Sequence, residues 1–385
     1  MTRWIDAAFV RGGTSKGLFF RADALPPLGD DGDTSARDSV FSSAMGSPDS
    51  FARQLDGMGG GISSLSKVMV VSASAREGVD LDYTFGQVAV AEAVVDYSGN
   101  CGNLSSGVVP FALEAGLLSA SDGWHVFRLF NTNTGKLVDV GLTVIDGRAA
   151  VEGDFELPGV SGRGAPIELI YPDPAGSRTG ALLPTAAARD DFDVDGQRFE
   201  ASLVDATLPL VIVPSTLVSL KDTESPEAID ANAHSLRHIE ELRRKAAVRM
   251  GLCETPETAP QVVPKVAVVS QPQSSALLDG TELPAGDVHL LVRVISMGQA
   301  HRAVPGTAAM CLAAAALIPS DDSYVRAIIT RNNPDWTGPE VRLGTPSGVV
   351  TASAVWDSSQ KTATATSLFR TARVLMQGKV AVEAR

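Results

Sequence analysis

The sequence predicts an α/β (α+β) chain made of two similar halves, each a cage of strands around one buried helix. Three observations carry this. Residues 108–118 are apolar on nearly every side apart from Glu114, and residues 308–318 hold no charge at all; a helix apolar all round belongs in an interior. Val-rich runs of strand length recur at residues 137–145, 201–213, 265–270 and 288–295, and such runs suit strands buried on both faces. Each half also opens in the same way, as strand, polar turn and strand, over residues 5–20 and again over residues 199–214.

Taken in order, residues 5–10 form a first strand, Arg11-Gly12-Gly13-Thr14-Ser15-Lys16-Gly17 a Gly-rich turn, and Leu18-Phe19-Phe20 a second strand. A short helix is expected over 36–45, stopped by Gly46 and Pro48, followed by a flexible loop at Asp56-Gly57-Met58-Gly59-Gly60-Gly61. Lys67 sits just beyond that loop, ahead of the apolar strand 68–71, and residues 80–90 alternate as a further strand with Asp82, Thr84 and Gln87 as polar positions. The segment Asn100-Cys101-Gly102-Asn103-Leu104-Ser105-Ser106-Gly107 opens the first buried helix, and Pro305-Gly306-Thr307 opens the second. A Gly-, Pro- and Asp-rich stretch at 172–195 sets a domain boundary near Ala188, giving domains 1–188 and 189–385. Ser225-Pro226 reads as the cap and first turn of one charged, solvent-facing helix ending at Met250-Gly251.

Composition narrows the function. A formal net charge of −13 disfavours nucleic acid and anionic membranes as partners. Three cysteines, Cys101, Cys253 and Cys311, far apart and odd in number, argue against a disulfide framework and for a reducing, cytoplasmic setting. No stretch reaches the ~20 apolar residues of a membrane span, and charges interrupt the first twenty residues, so neither a span nor a signal peptide is expected. No metal site or cofactor is expected either. His234 and His238 lie one helical turn apart, but no Glu follows His234 and no other ligand set of familiar spacing exists among 5 His and 3 Cys. The turn 11–17 lacks the phosphate-loop register and leads into a strand, and there is no G-x-S-x-G elbow.

Two residues remain with chemistry to offer. Cys101 stands at the start of a helix, where unpaired N–H groups lower a thiol pKa and attract anions, although a core cysteine reads equally well there. Lys67 is an amine at the edge of a core strand, where desolvation would bring it toward the range of a general base; an ordinary lysine reaching for solvent is the plain alternative.

At these residues the sequence resembles the PrpF family. The resemblance rests on Arg11 to Gly17, Asp56-Gly57-Met58-Gly59-Gly60, Ser66-Lys67 and Ser98-Gly99-Asn100-Cys101-Gly102-Asn103-Leu104-Ser105. It continues through Gly153-Asp154-Phe155, Leu183-Pro184-Thr185, Pro264-Lys265-Val266-Ala267 and Ser296-Met297-Gly298 to Gly306-Thr307-Ala308-Ala309, and so runs in order along nearly the whole chain. It implies the diaminopimelate-epimerase-like fold, with two related domains and the active site in the cleft between them. It implies an isomerase, independent of cofactors, that shifts a proton and a C=C bond along a small unsaturated di- or tricarboxylate such as 2-methylaconitate or 4-oxalomesaconate. Lys67 and Cys101 fall on the positions that the family places at the reacting carbons. Further substrate contacts are expected from Arg11, Ser15, Lys16, Ser66, Gly102, Asn103, Leu104 and Ser105 in the first half, and from His301, Arg302, Gly306 and Thr307 in the second. A homodimer is the default expectation for such an enzyme.

Two other readings compete with this one. A non-catalytic tricarboxylate-binding accessory to an aconitase-like dehydratase would need the pocket but neither the amine nor the thiol. A two-base epimerase of the diaminopimelate type would need a second thiol in a Cys-Gly-Thr turn, where this chain has Pro305-Gly306-Thr307.

Overall fold

A computed structural model describes residues 2–97, 101–319 and 323–383. Ser98-Gly99-Asn100, which carry part of the first helix motif, lie outside the described residues. The chain forms two compact units. The first runs to Ile170 and resumes at Phe369, and the second covers Tyr171–Leu368. This differs from a simple division at 188, and the reason is strand pairing. The last strand, Ala372–Glu383, lies antiparallel to Thr2–Gly12 along its whole length, which returns the chain's end to the first unit.

In the first unit, Thr2–Gly12 pairs antiparallel with Ser15–Arg21, which runs parallel to Lys67–Ala73; that strand is antiparallel to Leu81–Val88. Leu81–Val88 is parallel to Gly123–Asn131, itself antiparallel to Lys136–Ile145. In the second unit the sequence of pairings repeats. Gln197–Ala206 is antiparallel to Leu208–Pro214, which is parallel to Lys265–Ser270; Lys265–Ser270 is antiparallel to Leu290–Ser296. Leu290–Ser296 is parallel to Glu340–Thr345, which is antiparallel to Gly348–Asp357. The two openings expected from the sequence are the first hairpin of each sheet, the second turning at Thr207 with φ 67°.

Parallel neighbours need a crossover, and a helix supplies it in both units. Ser35–Met45 covers one face of the first sheet, where Phe41 and Met45 pack with Leu18, Phe20, Val68 and Val70. Alternation sends Phe19 to the other face, against Phe111 at 5.6 Å between ring centroids. In the second unit Ala233–Arg249 packs Ile239, Leu242 and Ala246 against Val266 and Val268. This helix is therefore amphipathic and half-buried, not solvent-facing throughout. It is also separate from Pro226–Asp230, because Asn232 accepts a hydrogen bond from Ser235 N at 3.1 Å and caps a new helix.

The two apolar helices are buried as expected. Gly306–Leu317 sits within a core that includes Ala267, Val269, Val292, Val294 and Leu343. Its run of alanines keeps the helix thin, so strands on several sides close on it without voids. The first helix is in two pieces, Gly102–Ser105 and Val108–Glu114, with the break at Ser106-Gly107. A Cβ at Gly107 would stand 2.9 Å from Val10 Cγ1 and 3.1 Å from Phe19 Cζ, so only glycine lets the sheet approach there.

Candidate active site

Lys67 is the first residue of its strand and only 9% exposed. Directly opposite on the neighbouring strand is Gln87, whose Oε1 accepts from Lys67 Nζ at 2.7 Å. The ammonium also lies 5.0 Å from the centroid of the Phe85 ring. Gln87 is itself fixed, since its Nε2 donates to the Ser66 and Ser63 carbonyls at 2.8 and 3.1 Å. No carboxylate among the described residues pairs with Lys67. A buried ammonium held by a neutral amide and a ring face is costly to the fold.

Ser66 is fully buried, and its hydroxyl donates to Val88 O at 2.8 Å while accepting from Gln54 Nε2 at 2.7 Å. Its side chain supports the start of the Lys67 strand instead of facing a ligand. Gly17 brings that strand and the thiol helix together. A Cβ there would meet Lys67 O at 2.4 Å and Leu104 Cδ1 at 3.2 Å.

Cys101 has extended backbone geometry and precedes Gly102–Ser105. Its thiol is partly exposed and stands 4.0 Å from the Ser15 hydroxyl. Leu104 and Ser105 are buried, with Ser105 Oγ bonded to Cys101 O and to Tyr83 OH, both at 3.1 Å. They position Cys101 and Gly102 from beneath. Asn103 is a connector, donating from Nδ2 to Thr14 Oγ1 at 3.0 Å and accepting at Oδ1 from Arg370 Nε at 3.1 Å. The turn fits this helix only because it lacks side chains. A Cβ at Gly12 would lie 2.5 Å from Asn103 O, and one at Gly13, φ 52°, 2.3 Å from Asn103 Oδ1.

Arg11 and Lys16 face each other across the hairpin. Arg11 Nη1 donates to Gly13 O, Thr371 O and Thr371 Oγ1 at 2.9–3.0 Å, so this guanidinium braces the turn against the end of the chain. Burial, and then the nearby Arg373, push its pKa down. Lys16 lies 5.7 Å from the Phe9 ring centroid. Ser15 and Cys101 thus meet on the Phe19 face of the sheet, with Leu104 and Ser105 beneath them, whereas Lys16, in step with Leu18 and Phe20 and beside Phe9, is on the opposite face, away from the thiol.

In the second unit, Gly306 and Thr307 begin the long buried helix after Pro305, and the Thr307 carbonyl accepts from Thr207 Oγ1 at 2.8 Å. His301 is partly buried, with Nδ1 accepting from Ala303 N at 3.0 Å; burial, and then the charge of Lys265, lower its pKa. Arg302 is exposed and paired with Glu227 at 2.8 Å, a surface arrangement. Cys311 lies inside the helix with no exposure, and burial pushes its thiol pKa up. It stands six residues past Pro305, roughly 9 Å along the axis, and cannot act at the helix start.

His234 and His238 stack at 4.3 Å between ring centroids, with Asp195 3.3 Å from His238 Nε2. Among the described residues no group of three or more His, Cys, Asp or Glu could hold a metal, and no helix is long and apolar enough to cross a membrane. Sequence reasoning missed Thr14, Gln54, Arg370 and Thr371. Each acts across strands or over more than 250 residues of chain, except Thr14 and Gln54, whose small polar side chains in a turn and a loop carry no distinguishing pattern.

The PrpF protein family model matches residues 2–383. The chain is 38% identical to 2-methyl-aconitate isomerase of Cupriavidus necator, covering 98% of this chain and 97% of that one. It is 36% identical to 3-methylitaconate isomerase of Eubacterium barkeri over 98% and 97%, and 35% identical to (4E)-oxalomesaconate Delta-isomerase of Novosphingobium sp. (strain KA1) over 97% and 96%. Among solved structures, methylitaconate-delta-isomerase superposes with a TM-score of 0.89 at 35% identity, covering 99% of this chain and 96% of that one. A hydroxyproline epimerase from Agrobacterium vitis matches at 0.52 with 11% identity over 99% and 94%, which reaches the fold alone. The fold is the diaminopimelate-epimerase-like fold that the resemblance implied.

Proposed function

The chain belongs to the PrpF family, and from that premise we propose that it is an isomerase moving a C=C bond along a small unsaturated di- or tricarboxylate of the 2-methylaconitate, methylitaconate or oxalomesaconate type, with Lys67 as general acid and base. The buried Lys67 amine, held by Gln87 and without a carboxylate partner among the described residues, is the observation that carries this reading.

In this mechanism neutral Lys67 takes a proton from the carbon γ to a conjugated carboxylate. The C–H electron pair enters the conjugated system as a dienolate, the double bond shifts, and the ammonium returns the proton at the other end of the allyl unit. One flexible amine can serve both ends, and no external reactant is consumed. Backbone N–H groups at the helix start of Gly102 suit a carboxylate and the charge that develops on it. Cys101 lines this site beside Ser15. Pro305 has no proton to give or take, which disfavours a two-base epimerase.

The test is to incubate the protein in deuterated water with cis- and trans-aconitate, 2-methylaconitate, methylitaconate and oxalomesaconate, following the products by NMR. Isomerisation with deuterium at the new C–H position is expected, and diaminopimelate should show no α-proton exchange. Turnover of none of these acids, or rapid α-exchange of an amino acid abolished by Cys101→Ser but not by Lys67→Met, would overturn the reading.

A further inference from the structure

The repeat in the two sheets assigns Lys67 a counterpart. The third strand of each sheet begins with a lysine, Lys67 in one and Lys265 in the other, and each strand runs parallel to the second strand of its own hairpin. Each lysine also finds a neutral acceptor on the antiparallel strand beside it. Where Lys67 has Gln87, Lys265 Nζ donates to Ser296 Oγ at 2.5 Å. Alternation along the strand puts Lys265 on the same face as Ala267 and Val269, which pack on the Gly306–Leu317 helix.

Basic groups surround Lys265, and the nearby acids are engaged elsewhere, Asp230 accepting from Ala300 N at 2.7 Å. His301 returns to the same sheet through its N–H to Val294 O at 2.8 Å. Its Nδ1 accepts from Ala303 N, so the neutral ring carries its proton on Nε2, as a donor. The other cation nearby, Arg243, is already matched by Glu240 at 2.7 Å. No carboxylate among the described residues pairs with Lys265. Burial, and then Arg243, push the Lys265 pKa down.

We propose that Lys265, Ser296 and His301 form a carboxylate-binding subsite, in which the Lys265 ammonium and His301 Nε2 donate to one carboxylate group of a small polycarboxylate. The choice of ligand rests on the isomerase reading above. Lys265 is a binding residue in this account.

The probe is tricarballylate, a saturated tricarboxylate with no double bond to move, titrated calorimetrically so that binding is read without turnover. Lys265→Met should weaken binding by roughly tenfold to a hundredfold, as expected for one charge-assisted hydrogen bond, while Lys265→Arg keeps most of it. Unchanged tricarballylate affinity in Lys265→Met overturns the proposal, as does a wild-type protein that does not bind the probe. Should the Met variant fail to fold, amine acetylation of the wild-type protein decides instead. Saturating tricarballylate should slow modification at Lys265, and equal rates with and without it refute the subsite. Binding that depends on Lys265 in a protein that isomerises none of the candidate acids removes the isomerase reading and leaves the subsite standing.

Discussion

Replacing Lys67 by Met separates the chemistry of this amine from its packing. The substitution removes the bond to Gln87, a charged hydrogen bond of about 1.5–3 kcal/mol, and the contact with the Phe85 ring, worth about 0.5–2 kcal/mol. Against this, it lifts the desolvation of the amine and places a thioether against Phe85 for about 0.3–1.5 kcal/mol. Gln87 keeps its two bonds to the Ser63 and Ser66 carbonyls, so the strand start holds. Stability should therefore change by no more than about 1–2 kcal/mol, a shift of only a few degrees in melting temperature for a chain of this size. Turnover should fall by at least ~100-fold, the lower range of general acid–base catalysis, or roughly 2.7 kcal/mol of barrier. The assay is kcat on whichever unsaturated acid the wild-type protein isomerises, beside a thermal melt of both proteins. Turnover within about tenfold of wild type, in a protein that melts normally, would dismiss Lys67 as the base.

Cys101→Ser, assayed in parallel, should cost less than Lys67→Met, no more than about tenfold, because the thiol lines the site without moving the proton; a larger loss than that of Lys67→Met reverses the assignment. Gly12→Ala puts a methyl 2.5 Å from Asn103 O and 2.9 Å from Leu104 Cα, both backbone atoms that cannot rotate away. It should destabilise by about 1–3 kcal/mol and lower kcat by roughly a hundredfold through displacement of the Cys101 helix, whereas Gly286→Ala, with open space around it, leaves both unchanged. Glu240 accepts from Arg243 and Arg244, and although burial works to raise its pKa, the two guanidiniums hold it below the usual 4.5. The stability it contributes is present above that value and is lost as pH falls through the lower folded one. Glu240→Gln should cost about 0.5–1 kcal/mol in urea unfolding at neutral pH and much less near pH 3; an equal cost at both refutes the linkage.

The sequence made the cores legible because burial writes directly into residue type. Alanine-rich 308–316 and the alternation of Val266 and Val268 against Ala267 and Val269 record which face meets which helix. Lys67 and Cys101 stood out as polar atoms at the edges of apolar runs. Their supports did not, because Gln87 was visible only as one polar position in a strand, and its place opposite Lys67 depends on a register that no local pattern contains. The break at Ser106-Gly107 was hidden by a continuous apolar run. The boundary at 170 was hidden for a related reason. Composition marks where a chain is irregular, and the division here follows the return of Ala372–Glu383 to the first strand.

That returning strand has a consequence for the order of assembly. The second unit is contiguous in sequence and can close once Leu368 has left the ribosome, while the first unit waits for the strand Ala372–Glu383 that follows it. Arg370 and Thr371, which fasten Asn103 and Arg11, arrive almost 270 residues after the helix start that they secure. Until then the Gly12-Gly13 turn and the Cys101 helix lack their clamp, and the sheet has an open edge along Thr2–Gly12. The half of the molecule that holds Lys67 is thus the later of the two to become rigid.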